Sequence, residues 1–272
     1  MARDVFFISD RTGITVETLG HSLLSQFNDI PFKEHTRRFI DTPEKARVIS
    51  GEIQHAARQT GLRPIVFSTL IDAETRGILA DSEGIFFDFV DTFIVPLESA
   101  LDHKSSHTVG RAHGVVDKSK YNLRMDAVNY TLAADDGLNT KEYQRADVII
   151  IGVSRSGKTP TCLYLSLTFG IYAANYPLTG EDLDDLRLPP VLGPYRRKLY
   201  GLSIEPAQLE QIRKKRKAEG KYASLKQCQY EVRQAEALYR KENIPILNTT
   251  AMSVEEIATS ILQQTRLTSR AV

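Results

Sequence analysis

The chain has 272 residues, 42% of them hydrophobic and 25% charged, with a formal net charge of +1. That length allows one large core or two modest ones, the composition excludes global disorder, and the near-neutral balance gives no electrostatic case for nucleic acid. Cys162 and Cys228 are the only cysteines and lack metal-ligand spacing, so neither a disulfide framework nor a zinc site is expected.

The stretch Val5-Phe6-Phe7-Ile8 is too short for a signal-peptide core, and no apolar run approaches the roughly 20 residues that span a bilayer. The expectation is a cytoplasmic protein.

Val5 to Ile8 reads as a buried strand ending in the turn Ser9-Asp10-Arg11-Thr12-Gly13. Val16, Leu19, Leu23 and Phe27 then recur at helical spacing, which predicts an amphipathic helix facing the core through that stripe. Thr42-Pro43 is a helix start, and Gly61 suits the end of a helix running to about Gln59. Pro64 to Leu70 predicts a strand, and Asp72 to Ala80 a helix. This alternation argues for a parallel sheet covered by helices. Residues 102–139 show no clear alternation beyond a helix around Leu123 to Leu132, and are expected to connect two units, 1–101 and 140–272.

The second alternation begins with Val148-Ile149-Ile150-Ile151, a buried strand leading into a glycine loop. A mostly apolar helix follows through Cys162, Leu163, Leu165, Leu167 and Phe169. Tyr172 to Tyr176, Leu199 to Ile204 and Ile244 to Leu247 are further strands. Ser253 and Glu256 form a capping-box pattern ahead of an apolar face of Val254, Ile257, Ala258, Ile261 and Leu262. The fold class is α/β, with two parallel-sheet units, the C-terminal one a P-loop kinase-like domain.

Gly152-Val153-Ser154-Arg155-Ser156-Gly157-Lys158-Thr159 matches G-x-x-x-x-G-K-T without a gap. Two glycines let the backbone curl so that successive N–H groups face phosphate oxygens, and the following helix adds its positive end. Lys158 brings a cation to the outer phosphates, and the Thr159 hydroxyl is a contact for magnesium. A buried strand before the loop and a helix after it count against an ordinary glycine turn. Pro160 is tolerated in the first helical turn. The loop does not select the nucleotide. Downstream of it there is no apolar run ending in an acid, and Asp147 lies at the wrong end of its strand, which argues against a GTPase-type switch.

The run Ile212-Arg213-Lys214-Lys215-Arg216-Lys217 is either a solvated helix face or a lid whose cations close over transferring phosphates. Asp10 sits where ligands bind in an open parallel sheet, although capping of the first helix by Asp10 or Thr12 is the blander reading. Asp135 and Asp136 offer carboxylates for magnesium, or simply an Asp-Gly turn with Gly137. His113 is a candidate for proton transfer or an ordinary structural histidine.

Several segments together resemble one family: Phe7-Ile8-Ser9-Asp10-Arg11-Thr12-Gly13, Arg63-Pro64-Ile65-Val66-Phe67, Tyr130 to Gly137, Gly152 to Thr161, Ala173 to Pro177, and Lys221 to Leu225. The chain resembles the pyruvate, phosphate/water dikinase regulatory proteins, most closely the phosphoenolpyruvate synthase branch, to which Gly157 points. The resemblance implies a bifunctional enzyme. ADP phosphorylates a threonine of the dikinase and leaves AMP, which inactivates the target. Inorganic phosphate removes the group as pyrophosphate, which restores activity. The ADP site carries over onto Gly152 through Thr159, including Val153, Ser154, Arg155 and Ser156, with Lys158, Thr159 and Arg155 as catalytic candidates and magnesium as the expected metal. The partner is then phosphoenolpyruvate synthase, with no nucleic acid and no membrane, and a homodimer is left open. The alternatives are the same activities on pyruvate, phosphate dikinase, a small-molecule P-loop kinase, or a nucleotide-sensing module without turnover.

Overall fold

The computed structural model describes residues 2–106, 118–216 and 220–270. It divides into two compact units, Met1–Gly114 and Val115–Val272. His113 and Lys217 lie outside the described residues.

The first unit runs β1 (Arg3–Ile8), α1 (Ile14–Leu24), β2 (Phe32–Arg37), α2 (Pro43–Thr60), β3 (Ile65–Ser68), α3 (Ala73–Ala80), β4 (Ile85–Asp88) and α4 (Phe89–Leu101). Its four strands pair in parallel in the order β2-β1-β3-β4. β1 is apolar from Val5 to Ile8 because both of its faces are covered there. Phe6 and Ile8 pack with Ile49, Ile53 and Leu79, while Val5 and Phe7 pack with Val16, Leu24 and Phe67. Thr42 caps α2 by accepting the Lys45 N–H at 3.4 Å, and Gly61 closes that helix at φ 68°.

Three details differ from the sequence expectation. The buried stripe of α1 is Val16, Gly20 and Leu24, whereas Leu19, Leu23 and Phe27 are exposed. Gly20 decides the rotation of the helix: a Cβ there would lie 2.3 Å from the Phe7 ring, so only glycine lets α1 settle this close to β1. Neither Asp10 nor Thr12 caps α1, since its N-cap is Gly13 at φ 79° with no side-chain hydrogen bond. Finally, β2, β4 and α4 had not been anticipated. β2 reads Phe-Lys-Glu-His-Thr-Arg and, as an edge strand, presents no apolar run to recognise.

The second unit runs α5 (Lys118–Ala133), β5 (Val148–Gly152), α6 (Lys158–Phe169), β6 (Ala173–Pro177), α7 (Gly180–Asp184), β7 (Leu199–Ser203), α8 (Pro206–Arg216), α9 (Leu225–Glu242), β8 (Ile246–Asn248) and α10 (Val254–Thr265), with short 3-10 turns between some of them. Its strands are also all parallel, in the order β6-β5-β7-β8. The architecture is α/β in both units. In β5, Ile149 and Ile151 enter one core with Tyr143, Leu238 and Tyr239, and Val148 and Ile150 enter the other with Cys162, Leu165, Ile257 and Ile261. The capping box of α10 forms as expected, Ser253 accepting the Glu256 N–H and Glu256 accepting the Ser253 N–H.

Much of the stretch 102–139, expected to connect two units, belongs to the second. Ala127, Tyr130 and Ala134 are buried, and the Thr131 hydroxyl donates to the Ala173 carbonyl of β6 at 2.8 Å. Asp102 does mark an end, as the left-handed C-cap of α4 at φ 46°.

Candidate active site

The strand order of the second sheet reverses between β5 and β7, and the carboxyl ends of strands at such a point are where open parallel sheets bind ligands. The loop 152–159 leaves β5 there. Gly152 permits the departure, because a Cβ would meet the Ser156 Oγ at 2.7 Å and the Leu202 carbonyl at 3.1 Å. Gly157 has a different task. A Cβ on it would meet nothing within 4 Å, but its φ of 93° is costly for any residue with a side chain. Arg155 is also left-handed, at φ 75°. These turns wind the backbone into a cradle that opens on the N-terminus of α6, where first-turn amides have no helical acceptor. Pro160 falls within that turn and forfeits nothing.

The side chains in the cradle are unusual for their types. Lys158 is buried, and its ammonium donates to the Val153 carbonyl at 3.1 Å. Burial pushes the Lys158 pKa down to about 8, against the opposing pull of the Asp136 and Asp135 carboxylates. The Ser156 Oγ is buried and has no hydrogen-bond partner among the described residues, although buried hydroxyls normally find one.

Beside the cradle, the Thr159 hydroxyl donates to the Asp135 Oδ1 at 2.9 Å. The same carboxylate oxygen accepts a hydrogen bond from the Asn175 side-chain amide. Asn175 in turn accepts the Asp136 N–H at 3.1 Å, and its own carbonyl accepts the Tyr143 hydroxyl at 2.9 Å. Asp136 at φ 48° and Gly137 at φ 74° make the turn expected of Asp-Gly. The turn and the carboxylate site therefore coincide: the chain reverses here, and the reversal delivers Asp135 to Thr159. The acid opposite the loop arrives from the turn before β5, not from the end of a later strand. Among the described residues, no group of three or more His, Cys, Asp or Glu side chains is placed to hold a metal. Thr159 and Asp135 instead present hard oxygen donors of the kind that bind magnesium together with phosphates and water.

The basic run on α8 is neither a uniform lid nor a uniform solvated face. Arg213 is fully buried and donates to the Ser154 carbonyl at 3.0 Å, the Tyr222 carbonyl at 2.9 Å and the Glu231 carboxylate at 2.6 Å. Its guanidinium lies 4.2 Å from the Tyr222 ring centroid, and the Tyr222 and Ser154 hydroxyls are 2.9 Å apart. A buried cation costs stability unless it is paired, and here the pairing fastens the cradle to α8 and α9. Lys214 pairs with Glu210 at 2.8 Å, and Arg216 is exposed.

Asp10 lies in the first unit, at the equivalent place after β1. It is buried within a turn in which the Ser9 hydroxyl accepts the Arg11 N–H at 3.2 Å. Both cysteines are buried, and burial raises both thiol pKa values, which suits inert core residues. Asp147 is tied to the Tyr172 N–H and Arg270. Sequence reasoning had missed Asn175, Arg213 as a clamp, and Tyr222. The available signal for Asn175 was a polar residue inside the buried run Ala173-Ala174-Asn175.

A family model described as kinase/pyrophosphorylase matches residues 5–262. A relative from Alkalilimnicola ehrlichii is 56% identical over 268 residues, covering 98% of this chain and 97% of the relative. One from Halorhodospira halophila is 53% identical over 269 residues, covering 98% of each. A third, from Pseudomonas putida strain W619, is 52% identical over 262 residues, covering 96% of each. All three are named, provisionally, as phosphoenolpyruvate synthase regulatory proteins.

Proposed function

The chain belongs to the kinase/pyrophosphorylase family, and from that membership together with the cradle we propose that it is a cytoplasmic, bifunctional regulator of phosphoenolpyruvate synthase. In one direction it transfers the β-phosphoryl group of ADP to a threonine of the synthase and leaves AMP. In the other, inorganic phosphate takes that group and leaves as pyrophosphate. The observation that carries this reading is the glycine-wound loop 152–159, with a buried lysine inside it and the Thr159–Asp135 pair at its edge.

The residues present fit phosphate. The space beside Gly157 is open, and the first amides of α6 have no helical acceptor, so both are available to an anion. Lys158 neutralises charge on the transferring group, and the loop amides hold it in a fixed orientation, so little reorganisation is needed in a largely dissociative transition state. Thr159 and Asp135 would hold magnesium, which would supply further neutralisation of the phosphate oxygens. Asn175 keeps Asp135 facing Thr159. Arg213 fixes the Ser154 carbonyl, and with it the shape of the loop.

The two directions share a chemical core. In each, a phosphoryl group moves between a threonine oxygen and the oxygen of another phosphate, which belongs to AMP or to inorganic phosphate. One cradle therefore serves both. The preference for ADP over ATP rests on the family resemblance of the loop and its flanking segments, since the loop alone accepts either.

The direct test is to incubate the protein with phosphoenolpyruvate synthase and ADP labelled in its β-phosphate. Label should appear on a synthase threonine, with AMP formed in equal amount. Transfer only from the γ-phosphate of ATP, or only to a small molecule, would replace this reading with that of a small-molecule kinase.

A further inference from the structure

Next to the cradle is a second concavity of about 480 Å³, lined by Arg155, Arg213, Arg216 and Tyr222. Among the described residues, its lining holds three guanidinium groups and no carboxylate. Arg213 is spent, because Glu231 neutralises it and two carbonyls accept its remaining donors. Arg155 and Arg216 are exposed, and neither forms an ion pair with a described residue. The end of α8 gains from positive charge in its last turn, but Lys214 and Lys215 already supply that. The stability of α8 therefore does not explain why Arg216 lines one concavity with Arg155 of the phosphate loop. Two guanidinium forks lining one concavity suit a phosphate dianion, which each can bind through paired N–H donors.

Resting on the functional reading above, we propose that this concavity is a second oxyanion subsite, and that it receives the phosphoryl group carried on the side chain of the protein substrate. Its size favours this occupant over free phosphate. A water molecule's share of liquid volume is about 30 Å³, so the space is far larger than one small ion needs and admits a phosphorylated side chain together with its attached backbone. The exposure of Arg155 and Arg216 makes the site reachable by a macromolecule. Tyr222 fixes the geometry between the two sites, since its hydroxyl meets Ser154 of the loop while its ring packs on Arg213.

In the phosphate-dependent direction, the bond from phosphorus to the threonine oxygen breaks as a bond forms to an oxygen of the phosphate held in the cradle. The proton of the attacking phosphate passes to the threonine oxygen, and pyrophosphate departs. Arg155 and Arg216 hold the dianion against repulsion from the incoming phosphate.

The test measures binding of full-length wild type, Arg216→Ala and Arg216→Lys to phosphorylated and unphosphorylated synthase, with ADP affinity measured in parallel. Wild type should prefer the phosphorylated form. Arg216→Ala should lose at least tenfold of that preference with ADP affinity within twofold of wild type, and Arg216→Lys should regain part of it. A preference that survives Arg216→Ala overturns the proposal. So does an equal loss of ADP affinity, which would make Arg216 part of the cradle. A defect confined to the KM for inorganic phosphate also overturns it, by assigning the concavity to the free ion. Failure of the functional reading looks different: wild type itself would then neither bind ADP nor form pyrophosphate.

Discussion

At the scale of single residues, Lys158 carries the account. Its burial and depressed pKa describe a cation held at a cost until an anion arrives. Lys158→Ala should lower phosphoryl transfer by about 10²–10³-fold, the usual consequence of removing one preorganised charge-stabilising donor, and leave the far-ultraviolet circular dichroism unchanged. The pH dependence has a definite sign. Above about pH 8 the apo lysine loses its proton, so ADP binding must take one up, and affinity should fall as pH rises through 8. The apo fold should respond in the opposite direction. Between the folded pKa and the ordinary value of 10.5, the unfolded chain binds the extra proton, so the contribution of Lys158 to stability rises with pH. Calorimetric ADP titrations between pH 7 and 9 read the first effect, and a flat affinity profile would contradict it. Asp135→Asn keeps the shape of the turn but removes a charge facing Thr159. It should weaken the magnesium dependence of transfer more than nucleotide binding without metal.

The residues of this site were unequally legible. Gly152 to Thr159 are contiguous, and their spacing is itself the chemistry, so the sequence displayed them. Asp135 was visible as a magnesium candidate or as part of an Asp-Gly turn, but not as the partner of Thr159 and Asn175, which are 24 and 40 positions away. Arg213 looked like one of several interchangeable cations. Nothing in Arg-Lys-Lys-Arg marks the single member that turns inward onto Ser154, Tyr222 and Glu231.

At the scale of elements, some strands covered on both faces and some helices with clear caps were read correctly, because each rests on local chemistry. β5, β3, α2 and α10 are of this kind. β2 escaped because an edge strand need not be apolar, and α1 was turned to the wrong face because glycine contributes nothing to an apolar stripe. Gly20 is nevertheless the contact that seats α1 on Phe7. Gly20→Ala should therefore destabilise the protein by about 1–3 kcal/mol, the range for overpacking a filled core, even though alanine is the better helix former. A lower urea midpoint would support this packing, and an unchanged or raised midpoint would contradict it. In the loop, Gly157→Val should impair ADP binding through its left-handed backbone and through the side chain placed on the open face of the cradle.

At the scale of the whole molecule, both units wind a four-stranded parallel sheet with the same relative strand order, the second strand on one side of the first and the next two on the other. Each places a turn at the reversal point: Ser9 to Gly13 in the first unit and the phosphate loop in the second. Only the second carries the glycine pattern and, among the described residues, a buried lysine, and on that ground a single centre is proposed for both directions of the chemistry. The most direct test supplies phosphorylated synthase with and without inorganic phosphate and measures pyrophosphate, using wild type and Lys158→Ala. Dephosphorylation should require added phosphate, yield one pyrophosphate per threonine released, and fail in Lys158→Ala together with the ADP-dependent reaction. Dephosphorylation that proceeds without phosphate, or that survives Lys158→Ala, would contradict the single-cradle account.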